Sequence, residues 1–212
     1  MSLYTFLLFA HILGVLGLFI GMGLQWVSIL RLRRARTVGQ AREWSSLARG
    51  AGRLGPISGA LVIGAGIAMM VMRWELSTPW ITVSLFAIAA MMAAGMGVAA
   101  RRTKAIGRAL AQDSSGADDL LTPEVNGLTH NPALWVATQL AASLALGVVF
   151  MMTMKPDLGS SLLTLAVTLV LGVAVGAAMA KPRRADVETA GSDIAQSPAT
   201  PRLPVAGNTQ GR

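Results

Sequence analysis

The chain has 212 residues, 53% of them hydrophobic and only 13% charged, against about 25% charged in a soluble domain, so part of its surroundings must be lipid. A net charge of +8 would suit nucleic acid if the basic residues gathered on one folded face; they fall instead between apolar runs, the pattern of loops facing anionic lipid, and no nucleic-acid partner is expected. Cysteine is absent, which excludes disulfides, iron–sulfur clusters and thiolate metal sites and leaves His, Met or oxygen as the only metal ligands.

Apolar runs over 4–29, 54–72, 80–100, 133–154 and 158–180 contain no Asp, Glu, Lys or Arg, and each nears the roughly 20 residues that span a bilayer. They predict an all-α, polytopic membrane bundle of five transmembrane helices over residues 1–181. The first run lacks a basic leader and is too long for the apolar part of a signal peptide, so it reads as a permanent helix. Within it "FLLFAHILGVLGLFIGMGLQW" (6–26) holds one histidine, His11. At 100° per residue, Tyr4, His11, Leu18 and Gln25 form one stripe with Gly14 and Gly21 beside it, and a polar stripe in lipid should face other helices. His11 then lies about 10 Å below the end that carries Tyr4.

After the first span come Arg31, Arg33, Arg34, Arg36, Arg42, Arg49 and Arg53. In this loop Val38, Ala41, Trp44, Leu47, Ala48 and Ala51 share one helical face, and Arg42, Arg49 and Arg53 another, which predicts a helix lying flat on the inner leaflet. The second span ends in "MMVM", with Met69, Met70 and Met72, followed by a nearly neutral turn holding Arg73 and Glu75. The third is followed by Arg101, Arg102, Lys104 and Arg108 and then by a polar connection over 109–131, closed by Asn131 as N-cap and Pro132 in the first helical position. The fourth ends in "MMTM", with Met151, Met152 and Met154, before Lys155 and Asp157; the tail 182–212, Pro-, Ala- and Thr-rich without apolar periodicity, is expected to be disordered.

Sixteen of the eighteen basic residues fall in the first loop, the third loop and the tail. By the positive-inside bias those segments face the cytoplasm, the N-terminus lies outside, and anionic lipids are the expected partners of the basic loops. Tyr4, Trp26, Trp74, Trp80 and Trp135 fall at span ends, where aromatic belts form. Gly17 with Gly21, Gly55 with Gly59 and Gly172 with Gly176 offer three Gly-x-x-x-Gly faces, either for closing the bundle or for homo- or hetero-oligomers. Gln25, Gln139, Ser58, Ser84, Ser143, Thr164 and Thr168 can add interhelical hydrogen bonds.

The chemistry available is sparse. No intramembrane carboxylate marks an ion pathway, and the hydroxyls have no base beside them. His130 lies at the other side of the bilayer from His11, so the two cannot share an iron or a copper. The methionines of the second and fourth spans, Met69, Met70, Met72, Met151, Met152 and Met154, end in the leaflet that holds His11, and thioethers with an imidazole suit Cu(I) or a haem iron with a His/Met axial pair. The same methionines serve equally as fillers of irregular apolar gaps. Two functional readings stay open: a non-enzymatic membrane protein that packs with partners or lipids, and a haem- or copper-binding redox or resistance component centred on His11.

Four segments in order, "FAHILGVLGLFIG", "RTVGQAREWSSLARGAGRLGPISGALVIGAGIAM", "PWITVSLFAIAAMMAAGMGVAARRTKAIGR" and "MMTMKPDLGSSLLTLAVTLVLG", resemble a family of small bacterial predicted integral membrane proteins of uncharacterised function, over about residues 3–180. More distantly, the His-Ile-Leu-Gly beginning at His11 is similar to the first span of the copper-resistance D type membrane proteins and the membrane protoporphyrinogen oxidases. In those groups a first-span histidine is associated with metal or haem, and His11 is the corresponding residue. The resemblance implies a bacterial cytoplasmic membrane.

Overall fold

A computed structural model describes residues 2–74 and 78–181. The expected disordered tail, and Glu75 of the second turn, lie outside the described residues. The described chain is all-helical: α1 (Leu3–Arg34), α2 (Val38–Arg73), α3 (Pro79–Met92), a π-helical segment (Ala93–Ala99), α4 (Ala100–Gln112), α5 (Pro123–Thr129), α6 (Pro132–Met154) and α7 (Leu158–Ala180). Because α3 runs through the π-segment into α4, and α5 turns directly into α6, five helical stretches are long and apolar enough to cross a membrane. This is the architecture of a multi-pass membrane protein.

Each helix begins where local chemistry satisfies its first N–H groups. The Ser2 hydroxyl accepts from the Thr5 N–H, Thr37 from Gln40 and Asn131 from Ala133 at 3.0 Å, with Pro79, Pro123 and Pro132 each in the first turn. The Asn131–Pro132 start is thus as expected. α6 stops at Lys155, whose left-handed backbone (φ 47°) returns its N–H to the Met151 carbonyl, and Asp157 Oδ1 accepts from the Ser160 N–H at 2.8 Å to open α7.

The expected flat-lying helix of the first loop is instead the N-terminal half of α2. Its apolar face is covered by protein: Val38, Ala41, Ala48 and Ala51 are buried, and Trp44 packs on the core with Arg31 over its ring. α2 continues through Pro56, which has no N–H for the Gly52 carbonyl. At 36 residues α2 is about 54 Å long, far more than a roughly 30 Å hydrocarbon core, so it projects beyond the bilayer at its basic end.

Two packing groups result. α1 and α2 form a tight antiparallel hairpin, while α6 is wrapped by α3, the π-segment and α7. They join most firmly at the basic end, where Ile29 and Leu32 of α1, Ala41 of α2, Ile106 and Leu110 of α4, Val125 of α5 and Leu134 and Trp135 of α6 share one core. Trp135 is therefore no belt residue: it is 1% exposed, donates from Nε1 to the Thr129 carbonyl and lies under the Arg33 guanidinium. The connection after α4 is pinned to the α1–α2 turn by a Thr37–Leu120 bridge and by N–H bonds from Val38 and Gly39 to the Asp119 and Ala117 carbonyls.

Candidate functional site

The α1–α2 seam is built on small residues. A Cβ added at Gly14 would sit 2.9 Å from Leu61 Cβ, one at Gly17 2.5 Å from Ser58 Oγ, and one at Gly21 3.4 Å from Leu54 Cβ. Such close approach lets α1 put His11 directly against α2. The ring is buried, 8% exposed, and its Nδ1 lies 2.9 Å from the Val62 carbonyl oxygen, to which it must donate, since a carbonyl only accepts. Gly66 makes the space: a Cβ there would come within 3.3–3.4 Å of the ring atoms Cε1 and Nδ1. With Nδ1 carrying the hydrogen, the neutral imidazole keeps a lone pair on Nε2, the form in which a histidine ligates metal.

The methionines do not converge. Met69 and Met70 follow Gly66 by one turn on α2 and are partly covered, and Met72 is exposed. Met151 is fully buried elsewhere, among Val83, Ala87, Leu144 and Val148, where it receives the Ser84 hydroxyl at 3.9 Å; Met152 packs on that cluster and Met154 is exposed. α2 packs on α1 and α4, and α6 on α3, the π-segment and α7, so the structure assigns the two clusters to different interfaces and does not assemble one site from them. Among the described residues no group of three or more His, Asp or Glu could hold a metal. His130 is remote in role as in sequence, its Nδ1 closing the α5–α6 turn against the Asn126 carbonyl at 2.9 Å.

The end of the hairpin near Tyr4 collects aromatics and both cations of the short turns. Arg73 lies over the Tyr4 ring, Lys155 over Trp74, and Trp74 meets Trp80 edge-on at 5.4 Å. Trp74 and Trp80 thus stand at a helix end as expected.

Of the three glycine pairs, two are consumed within the chain. Gly172 and Gly176 of α7 press on α6, where added Cβ atoms would lie 2.7 Å from Leu140 Cα and 2.5 Å from Val136 Cα; Gly17 and Gly21 close the hairpin. Around Gly55 and Gly59, and Gly52 before them, nothing lies within 4 Å of a built Cβ. Thr164 and Thr168, expected to bond across helices, donate to carbonyls of α7 itself.

Sequence reading missed one feature, at the basic end between α2 and α4. Arg42, Ser45 and Arg49, spaced three and four residues apart on α2, border a cavity of about 190 Å³ closed from α4 by Gly107, Leu110 and Ala111. The spacing was visible; that Gly107 would face it was not, because that depends on how the helices pair. Arg42 donates from Nη2 to the Asp113 carbonyl at 2.7 Å and from Nε to the Leu110 carbonyl, while the Ser115 hydroxyl and N–H, aided by Arg42, hold the Asp113 carboxyl below its ordinary range. Comparison of the chain with protein-family models, curated proteins and solved structures finds no match.

Proposed function

We propose that the chain is a non-enzymatic component of a bacterial cytoplasmic membrane, acting through lateral contact of α2 with a transmembrane helix of a second protein. The observation that carries this reading is the uncovered Gly52–Gly55–Gly59 stripe, left open while the other two glycine faces are filled by the chain's own helices. Small residues let helix backbones approach closely, and dispersion contacts and Cα–H···O bonds then drive association without a hydrophobic incentive. Arg53 borders one end of the stripe, so a second copy would set like charges together, and a partner with an acidic residue at that level fits better. The likeness to small bacterial membrane proteins and the basic loops support this localisation, with the N-terminus outside and anionic lipids around the basic end.

The test is in-membrane crosslinking from a cysteine introduced at Ile63, exposed one turn beyond Gly59 on the same face of α2. A discrete crosslinked partner, lost when Gly59→Leu is added, is the expected result; the same crosslinks with and without Gly59→Leu, or none, would overturn the reading.

A second reading, copper or haem at His11, draws on one observation: the Nδ1 bond to Val62 leaves Nε2 as the ligating nitrogen, with Met69 and Met70 a turn away on α2. Protein expressed with copper and haem supplied should then carry copper or a Soret band that His11→Phe abolishes. Metal and spectrum unaltered by His11→Phe would leave His11 as an interhelical hydrogen-bonder.

A further inference from the structure

We propose that the cavity between α2 and α4 is a binding site for a phosphate group. At about 190 Å³ and open to the outside, it has some six waters' worth of space, at roughly 30 Å³ each, room enough for a phosphate group. Its wall carries two cations, Arg42 and Arg49 of α2. Arg42 commits Nε and Nη2 to carbonyls, leaving Nη1; Arg49 makes no hydrogen bond or ion pair among the described residues. The fixed fork of guanidinium donors matches phosphate oxygens.

Ser45 is the independent sign of a ligand. The residue is 2% exposed, it borders the cavity, and its Oγ, turned toward Gly107, has no hydrogen-bond partner. Elsewhere in the helices Ser28, Thr103 and Thr138 return their hydroxyls to the carbonyl four residues back, the ordinary way of satisfying a buried O–H. A buried hydroxyl that forgoes that bond bears a desolvation cost unless something else accepts from it. Gly107 keeps the space open, since a Cβ there would stand 3.5 Å from Ser45 Oγ and 4.0 Å from Arg49 Cδ. The last carbonyls of α4 would repel an anion, but Arg42 takes that of Leu110, together with those of Asp113 and Ser115 just beyond the helix. Asp113, beside Arg42, contributes one negative charge against the two positive ones of Arg42 and Arg49.

The depth of the site favours a dissolved source over a lipid. Ser45 precedes the apolar run of α2, which begins at Leu54, by nine residues, and Gly107 follows Ala100 by seven. That places the cavity about 10–13 Å beyond the hydrocarbon edge, where the headgroup zone is only about 5–8 Å deep. A small phosphate-bearing anion from the aqueous side reaches it more readily than the phosphodiester of a membrane lipid.

The experiment is calorimetric titration of the full chain in neutral detergent with inorganic phosphate in phosphate-free buffer, beside native mass spectrometry of the chain in nanodiscs containing phosphatidylglycerol. Saturable phosphate binding, weakened about tenfold to a hundredfold in Arg49→Gln and lost in Gly107→Leu, supports the site and its dissolved source. No phosphate binding, but phosphatidylglycerol retained by the wild type and lost in Arg49→Gln, supports the site with a lipid source. Arg49→Gln is the deciding variant because Arg49 holds no helix in place, and Arg101→Gln, a cation outside the cavity wall, serves as control. Neither ligand bound, or binding that Arg101→Gln weakens as much as Arg49→Gln, overturns the proposal.

Discussion

His11 and Gly66 form one feature, a ring and the slot that admits it. That His11 faces inward was legible from the stripe of Tyr4, His11 and Gln25, because a polar ring has no partner in hydrocarbon. Its partner, the Val62 carbonyl, was not legible, since a backbone acceptor carries no residue signature and its choice follows from the register set by Gly14, Gly17 and Gly21. The slot yields a prediction: Gly66→Leu drives side-chain atoms into the ring and should destabilise the folded chain by about 1–3 kcal/mol. Gly64→Leu, with open space around its Cβ, should leave stability nearly unchanged. Melting in detergent, followed by circular dichroism, checks the pair, and equal effects would mean that the ring is not held where the structure puts it. The methionines show the converse limit. Periodicity assigns Met69, Met70 and Met151 to faces, but only packing decides that α2 and α6 turn those faces to different neighbours.

At the scale of the helix, span existence was legible and span continuity was not. Five uncharged apolar runs could only be bilayer-length helices, yet the stretch carrying Arg42, Arg49 and Arg53 read as a separate surface helix ahead of a span beginning at Leu54. α2 is continuous because its N-terminal half has its own apolar face, buried against α1 and α4. The glycine pairs divide by the same logic. Gly176→Leu should separate α7 from α6 and lower the melting temperature sharply, with about 1–3 kcal/mol lost, whereas Gly55→Leu should be neutral for the monomer. At the start of α7, the Ser160 backbone N–H and hydroxyl hold the Asp157 carboxyl below its ordinary range. A carboxylate with a lowered folded pKa stabilises above its unfolded value, near 3.9, and that contribution fades as pH falls through the lower folded value. Asp157→Asn should therefore melt below wild type at pH 7, and the gap should close in acid; a gap that persists at pH 2 would remove the carboxylate from the account.

For the whole molecule, charge and aromatics are sorted by end. Arg31, Arg33, Arg42, Arg49 and the basic residues of α4 cluster at one end, where Arg42 holds carbonyls at and beyond the end of α4 and Arg31 and Arg33 lie over Trp44 and Trp135. At the other end Arg73 and Lys155 are stacked on Tyr4 and Trp74, a cation–π arrangement that lets a charge sit at the interface with part of its field met by a ring face. This asymmetry was legible in sequence as a count, and the positive-inside bias turns it into an expected orientation: the end with many cations should be the one retained in the cytoplasm, because moving them across an energised membrane is opposed at insertion. The chain should then run N-terminus out and C-terminus in, with the Lys155–Asp157 turn outside. Alkaline phosphatase, which folds into active enzyme only beyond the cytoplasmic membrane, reads this directly. A fusion after Asp157 should be active and one after Arg184 inactive. The reverse pattern would invert the bundle and place the cavity bordered by Arg42 and Arg49 on the outer face.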